Sequence, residues 1–253
     1  MTTRNATTRT HYSPVDHPGA PVPAGLRPWT ASWPIYAPVD ITPPELREAA
    51  LAGETEPWIT DPVATPTQIT DWQARQARAL VPFQVDGGWP LNPTGRTGRR
   101  GRNLGSWGEN AAADPVVVAG TGADRRVLLI LRSDVRQWAL PGGMVDAGET
   151  APAAVVRELR EETGVDLRGQ APDAILCQGY VEDWRATDHA WVCSTAALYT
   201  LPGVIPAEAA DDAADARWVR FVSVDQLAAD LAAEGGLYQA HRPILTAAAD
   251  HLS

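Results

Sequence analysis

The sequence predicts an α/β protein in which a mixed sheet is flanked by helices and preceded by a small domain rich in proline and tryptophan. Three observations carry this. From Asp114 onward, short β-rich runs (PVVVAG, RVLLILR, AILCQGYVE, AWVCSTAALYTL, ARWVRFV) are interrupted by single helical segments, the pattern of a mixed sheet with helical connections. Before that point the texture differs: fifteen of the 22 prolines and five of the ten tryptophans fall in residues 1–105. Finally, 253 residues with 44% hydrophobic and 21% charged content suffice for one large or two small domains with a buried core.

Taken in order, residues 1–25 read as a disordered tail. Residues 26–105 read as a small N-terminal domain, because large aromatics interleaved with proline need packing that a disordered chain does not offer. Within it, proline-bounded extended segments surround helices expected near 44–52 and 66–80. Residues 106–253 form the second domain. There PVVVAG and RVLLILR, joined through Gly122-Ala123-Asp124, read as a hairpin. A helix is expected over Ala151–Thr163, ended by Gly164. SVDQLAADLAA starts on a serine cap, and a last helix is expected over Arg242–His251.

Charge and cysteine content exclude several functions. The chain has a formal net charge of -10 and no lysine. The imbalance is uneven: residues 1–105 carry a net of +1 and residues 106–253 a net of -11. An acidic body of this kind repels nucleic-acid backbones, so no nucleic-acid partner is expected. Cys177 and Cys193 are too few for a zinc site and read as two buried thiols. The N-terminus shows neither an apolar signal core nor an amphipathic transit pattern, and the strongest apolar run, residues 127–131, is far too short for a membrane span. A cytoplasmic protein with no membrane partner is expected.

The segment GGMVDAGETAPAAVVRELREETGVDL is the most informative. At about 100° per residue, Glu158, Glu161 and Glu162 share an arc of about 100° on one helix face, while Pro152, Val155, Val156 and Leu159 form an adjacent apolar arc for the sheet. Like charges at these spacings weaken an isolated helix, and Arg157 and Arg160 offset part of the repulsion. The helix alone permits two readings: a solvated, salt-bridged face, or a set of hard oxygen ligands for Mg²⁺ or Mn²⁺.

The flanking residues favour the second. Gly143, Glu149, Arg157, Glu158, Leu159, Glu161, Glu162, Gly164 and Val165 match the Nudix box at every fixed position: G, five residues, E, seven residues, R-E-U-x-E-E-x-G-U, with U aliphatic. The segment resembles the Nudix hydrolases, which cleave a nucleoside diphosphate linked to another moiety. The resemblance implies an α/β/α sandwich with the box as a strand–loop–helix–loop on the sheet edge. It also implies that Glu158, Glu161 and Glu162 hold divalent metal, with a backbone carbonyl near Gly142 as an extra ligand. Arg157 would orient the cluster by pairing with a carboxylate such as Glu149. Divalent ions suit a pyrophosphate because they neutralise its dense charge as water attacks.

A narrower resemblance extends over most of residues 27–245. LNPTGRTGRRGRNLGSWGENAAADP, WALPGGMVDAGE, GYVEDWRATDHAW and EAADDAADARWV are similar to the mitochondrial-type ADP-ribose pyrophosphatases and to the ADP-ribose-binding domain of melastatin-type channels. This implies ADP-ribose as substrate, cleaved to AMP and ribose 5-phosphate. Phe83 falls on an aromatic lining the nucleotide site, Asp183 and Arg185 on a ligand-contacting acid and arginine, and Tyr238 on a tyrosine near the terminal ribose. Trp184, Ala186 and Ala240 depart from the family's proline and two asparagines. The channel domain's box has lost the glutamate matching Glu158, which this chain keeps. For the general base, Glu161, Asp211 and Asp212 are rivals. A broader nucleoside-diphosphate-sugar or dinucleotide pyrophosphatase and an ADP-ribose sensor are the alternatives, and either a monomer or a homodimer is compatible. The arginine–glycine run Gly95–Arg102 lacks the lysine of a phosphate-binding P-loop. It is expected to link the domains, with Arg96, Arg99 or Arg102 facing the acidic domain or a diphosphate.

Overall fold

The computed structural model describes residues 18–253 except Ala147 and Asp212. The tail expected over residues 1–25 lies, up to residue 17, outside the described residues. Its remainder is ordered, with Ala20 N–H donating to Gly98 O at 2.9 Å and a 3₁₀ turn at Ala24–Leu26. The chain divides into two compact units: residues up to Asn110 with Tyr180–Cys193, and Ala111–Gly179 with Ser194–Ser253. The boundary expected from sequence, at 105/106 with no later segment crossing over, is therefore incomplete.

In chain order the first unit carries β1 (Val39–Asp40), α1 (Glu48–Leu51), α2 (Trp72–Arg78), β2 (Gln84–Asp86), β3 (Trp89–Leu91) and β4 (Arg99–Arg100). Regular structure is scarce, with β1 parallel to β4 and β2 antiparallel to β3. Both helices expected here are shorter and broken. A 3₁₀ turn at Pro44–Leu46 precedes α1, and Arg47 between them is extended (φ -85°, ψ 154°). Likewise Pro66–Gln68 forms a 3₁₀ turn, and Ile69 is extended before α2 begins. Ile69 packs against an aromatic core of Trp72, Phe83, Trp107 and Trp191, so its burial overrides the helical pattern. Trp191 and Cys193 in that core explain why Tyr180–Cys193 belongs to this unit.

Much of the unit's coil is held by the arginine–glycine run. Gly95, Gly98 and Gly101 have φ of 90°, 78° and 81°, and a Cβ at these positions would overlap Arg27 O, Ala20 O and Thr42 Oγ1. The residue after each is an arginine bonded to main-chain carbonyls. Arg96 donates to Leu26 O (2.8 Å), Pro28 O (2.8 Å) and Ala31 O (3.0 Å) and lies over the rings of Trp29 and Tyr36. Arg99 donates to Pro18 O and Ala186 O, and Arg102 to Asp61 O (2.7 Å) and Gly105 O (2.9 Å). Arg99 and Arg102 are each 1% exposed. The carbonyls named here all belong to the same unit, because a coil-rich domain leaves many carbonyls that strands and helices would otherwise satisfy.

The second unit continues with β5 (Gly108–Ala119), β6 (Arg126–Arg132), β7 (Trp138–Ala139), β8 (Gly143–Met144), α3 (Ala151–Thr163), β9 (Ala174–Val181), β10 (Ala190–Leu201), β11 (Ala213–Arg220), α4 (Val224–Leu231) and α5 (Arg242–His251). The unit division falls within β5, β9 and β10. The mixed sheet runs β11-β6-β5-β10-β9, with β7 on β6 and β8 on β5. The expected hairpin is present, pairing Val118 with Val127 and Ala119 with Arg126. Of the two thiols expected to be buried, Cys193 is so, whereas Cys177, on the edge strand β9, is exposed.

Strand side chains alternate between two faces. Val116, Val118, Val127, Leu129, Ala196 and Leu198 pack with α4 and α5 through Val224, Leu227, Leu231, Ile244, Leu245 and Ala248. Val117, Leu128, Ala197 and Tyr199 pack instead with Ala154, Val155 and Leu159 of α3. The unit is therefore an α/β/α sandwich. Of the arc expected to face the sheet, Val155 and Leu159 are buried, joined by Ala154, whereas Pro152 is exposed in the first turn and Val156 only half-buried. Full burial of Leu159 contributes about 2 kcal/mol. Gly164 ends α3 at φ 70°, its N–H bonded to Arg160 O, and Ser223 caps α4 by accepting from Gln226 N–H.

Candidate active site

Seating Val155 and Leu159 on the sheet turns the charged arc of α3 towards the segment between β8 and the helix. There Arg157 is the hub. Its Nε and Nη2 donate to the two oxygens of Glu149 at 3.1 and 2.9 Å, a bidentate pair. Nη1 donates to Glu158 Oε1 at 2.8 Å and to Glu161 Oε2 at 3.0 Å, and Nη2 also to Met144 O at 3.0 Å. Asp146, which sequence reasoning does not single out, lies 3.7 Å from Nη2, and its N–H donates to Glu149 Oε2. Its place three residues before Glu149 is the available signal.

Glu162 behaves differently. It is 4% exposed, and its Oε2 accepts the Gly142 N–H at 2.8 Å. Among the described residues, no three His, Cys, Asp or Glu groups are arranged to hold a metal ion. The expected three-glutamate nest is therefore not assembled in this structure. Glu158 and Glu161 converge on one nitrogen of Arg157, whereas Glu162 is bonded to the loop. The packing also explains Gly143: a Cβ there would lie 2.6 Å from the Glu158 carboxyl carbon.

Burial pushes the Glu158 carboxyl up to about 7, against the opposing pull of Arg157. Glu149 is held below the usual carboxylate range by its hydrogen bonds to Arg157, and Arg157 is pushed up chiefly by Glu149. A buried carboxylate that one guanidinium does not fully compensate, beside a second convergent carboxylate, is a donor set that fits a divalent cation. Near the C-terminal end of α3, Ala210 N–H donates to Glu162 O and Glu208 N–H to Thr163 O. This brings the acidic loop to the box helix, with Asp211 at a positive φ of 54°. Its rival Asp212 lies outside the described residues.

The remaining expected ligand residues fall in both units. Phe83, in the first, is 8% exposed and packs edge-on to Trp72 and Trp191 with centroids 6.2 and 5.2 Å away. The stacking surface expected of it is thus part of the aromatic core. Asp183 and Arg185 meet bidentately: Oδ1 accepts Arg185 Nε and Oδ2 accepts Nη2, both at 2.8 Å. Arg96 holds the carbonyls named above. Tyr238, in the second unit, is 1% exposed, with Arg132 over its ring at 5.0 Å and His241 edge-on at 5.1 Å. No helix among the described residues is long and apolar enough to cross a membrane.

A seven-stranded mixed sheet between helix layers, carrying the complete box on the helix of one face, defines a Nudix hydrolase. The NUDIX domain family model matches residues 111–245, more than half of the chain, and the chain belongs to that family. Ahead of it, residues 22–108 match the NUDT9-like N-terminal domain. A Caenorhabditis elegans protein named as a nudix hydrolase is 34% identical over 223 residues, 81% of this chain and 84% of that protein. The mitochondrial ADP-ribose pyrophosphatase of Rattus norvegicus is 31% identical over 231 residues, 76% of this chain and 65% of the relative. The transient receptor potential cation channel subfamily M member-like 2 of Nematostella vectensis is 32% identical over 227 residues, 76% of this chain but 15% of the channel.

Proposed function

We propose that this protein hydrolyses ADP-ribose to AMP and ribose 5-phosphate with the help of Mg²⁺ or Mn²⁺, in the cytoplasm. The carrying observation is Arg157 gathering Glu149, from the segment before α3, with Glu158 and Glu161 of the helix face, the arrangement a charged phosphate chemistry needs. The choice of ADP-ribose is supported by the similarity to a relative named for that activity, which extends through both matched domains.

Glu149 fixes the guanidinium bidentately, and the guanidinium in turn fixes the carboxylates of Glu158 and Glu161. These two, rather than the more occupied Glu162, would first receive a cation. A divalent cation there neutralises charge that develops on the pyrophosphate when water attacks. Water adds at phosphorus, the bridging P–O bond breaks, and each product keeps one phosphate. Glu161, on the box helix, and Asp211, whose loop is pinned to the end of α3, are the two candidates among the described residues to accept the water proton.

A second reading, an ADP-ribose-binding domain without turnover, rests on the resemblance of the motifs to melastatin-type channels, to one of which the chain is 32% identical over 227 residues. Incubation with ADP-ribose and Mg²⁺ separates the two. AMP and ribose 5-phosphate are the expected products; intact ligand with a raised melting temperature would establish binding alone. Turnover of ADP-glucose or diadenosine compounds at rates equal to ADP-ribose would replace the narrow substrate with the broad one.

A further inference from the structure

The box residues leave one buried polar group of the second unit unexplained. Ser194, Asp114 and His241 are 1%, 6% and 7% exposed, and none belongs to the box. Buried polar side chains are costly unless they satisfy something, so what they bond matters. His241 bonds the loop Leu140–Gly143 between β7 and β8, Asp114 lies beside it, and Ser194 bonds Asp114. Pro141 at the centre of this loop has no N–H, so its two flanking amides are the loop's available donors. Leu140 N–H donates to His241 Nδ1 at 2.9 Å, and Gly142 N–H donates to Glu162 Oε2 at 2.8 Å.

The rest of the group braces this contact. Because Nδ1 accepts, the imidazole is neutral with its proton on Nε2. Nε2 faces Asp114 Oδ1 at 3.7 Å, and Asp114 Oδ2 accepts the Ser194 hydroxyl. The same Asp114 lies beneath Gly142, where a Cβ would be 2.7 Å from Oδ1. Segment 236–241 is itself laid along β7: Trp138 N–H donates to Gly236 O at 2.9 Å and Tyr238 N–H to Trp138 O at 2.7 Å.

We propose that His241 is a positioning residue for the active site, holding the Leu140–Gly143 loop in register with the box helix, and that Asp114 keeps its Nδ1 available as the acceptor. The inference rests on the proposed pyrophosphatase reading for its catalytic consequence only. Two side-chain acceptors fix the peptide planes Ala139–Leu140 and Pro141–Gly142, one tied to the C-terminal segment and one to α3. Loss of either lets the loop drift relative to Glu158 and Glu161.

The test compares His241→Leu, which removes the acceptor, with His241→Asn, whose amide oxygen can occupy the Nδ1 position. Three measurements are made: exchange of the Leu140 amide by NMR without ligand, Mn²⁺ affinity by titration, and steady-state kinetics giving kcat and KM for ADP-ribose. In the leucine variant, Leu140 exchange accelerates at least ~10-fold, and Mn²⁺ affinity and kcat each fall ~10–100-fold, the range for groups that orient metal ligands. KM changes less than ~3-fold, and asparagine restores all three. Unchanged Leu140 exchange, or fast exchange with native Mn²⁺ affinity, would overturn the proposal. An inactive wild type would overturn the pyrophosphatase reading instead, while exchange and Mn²⁺ affinity still judge His241. If the leucine variant does not fold, Asp114→Asn probes the same contact, with faster Leu140 exchange and weaker Mn²⁺ binding expected and native values for both overturning the proposal.

Discussion

Two regions of this molecule rely on arginine, in opposite ways. In the box, Arg157 meets three carboxylates, and its charge decides how close Glu149, Glu158 and Glu161 can approach one another. In the run Gly95–Arg102, Arg96, Arg99 and Arg102 meet main-chain carbonyls and substitute for the strands and helices that the first unit lacks. The same side chain is an electrostatic organiser in one place and a structural brace in the other. Its role is set by what surrounds it: the box helix face offers Arg157 mainly carboxylates, with one carbonyl at Met144, whereas coil offers chiefly carbonyls.

The contrast can be broken by substitution. Glu158→Gln should have the largest effect, cutting kcat for ADP-ribose by at least ~10²-fold with the circular dichroism spectrum unchanged, since it removes charge but no volume. A gain in activity, or none lost, would remove Glu158 from the site. The second effect is pH-dependent and is read without metal. Because the folded protein holds the Glu158 proton up to about 7, against an ordinary 4.5, its contribution to stability is complete below about 4.5 and is lost as pH rises through about 7. The stability of Glu158→Gln relative to wild type in EDTA should therefore climb by up to about 3 kcal/mol between these limits, and Mg²⁺ at pH 8 should reduce the gap. A flat difference in chemical denaturation would show that burial does not raise this carboxyl.

On the structural side, Arg102→Met should cost about 2 kcal/mol, because Asp61 O and Gly105 O lose their buried donor. Its neighbour Arg100 is exposed and 3.8 Å from Asp40, so Arg100→Ala should change stability by less than about 0.5 kcal/mol. Equal effects at the two positions would contradict the bracing role assigned to the run.

What can be read from sequence is local. The box helix is expected over Ala151–Thr163 with Gly164 ending it, and both are found, because Pro152, the apolar arc and the glycine all act within a few residues. The hairpin and last helix are legible for the same reason. The helix expected at 66–80 fails where Ile69 is drawn into a distant aromatic core. Glu162 matches the motif as well as Glu158 does, yet its partner is a loop amide twenty residues earlier. The bond from Leu140 to His241 spans 101 residues, and no short pattern encodes it. Buried arginine is equally hidden, since composition presents it as surface charge.

The glycine–arginine run carries one more consequence. Gly95-Arg96-Thr97, Gly98-Arg99-Arg100 and Gly101-Arg102-Asn103 are three successive copies of one unit, each with a glycine at positive φ followed by a bracing arginine. Tolerance to replacement should therefore rise and fall every three residues along this coil, as it does along collagen but with no superhelix to enforce it. A single-residue deletion at Thr97 would bring Arg99 and Arg102 to the sites of Gly98 and Gly101, where Ala20 O and Thr42 Oγ1 leave no room for a Cβ, so the segment keeps time although it has almost no regular structure.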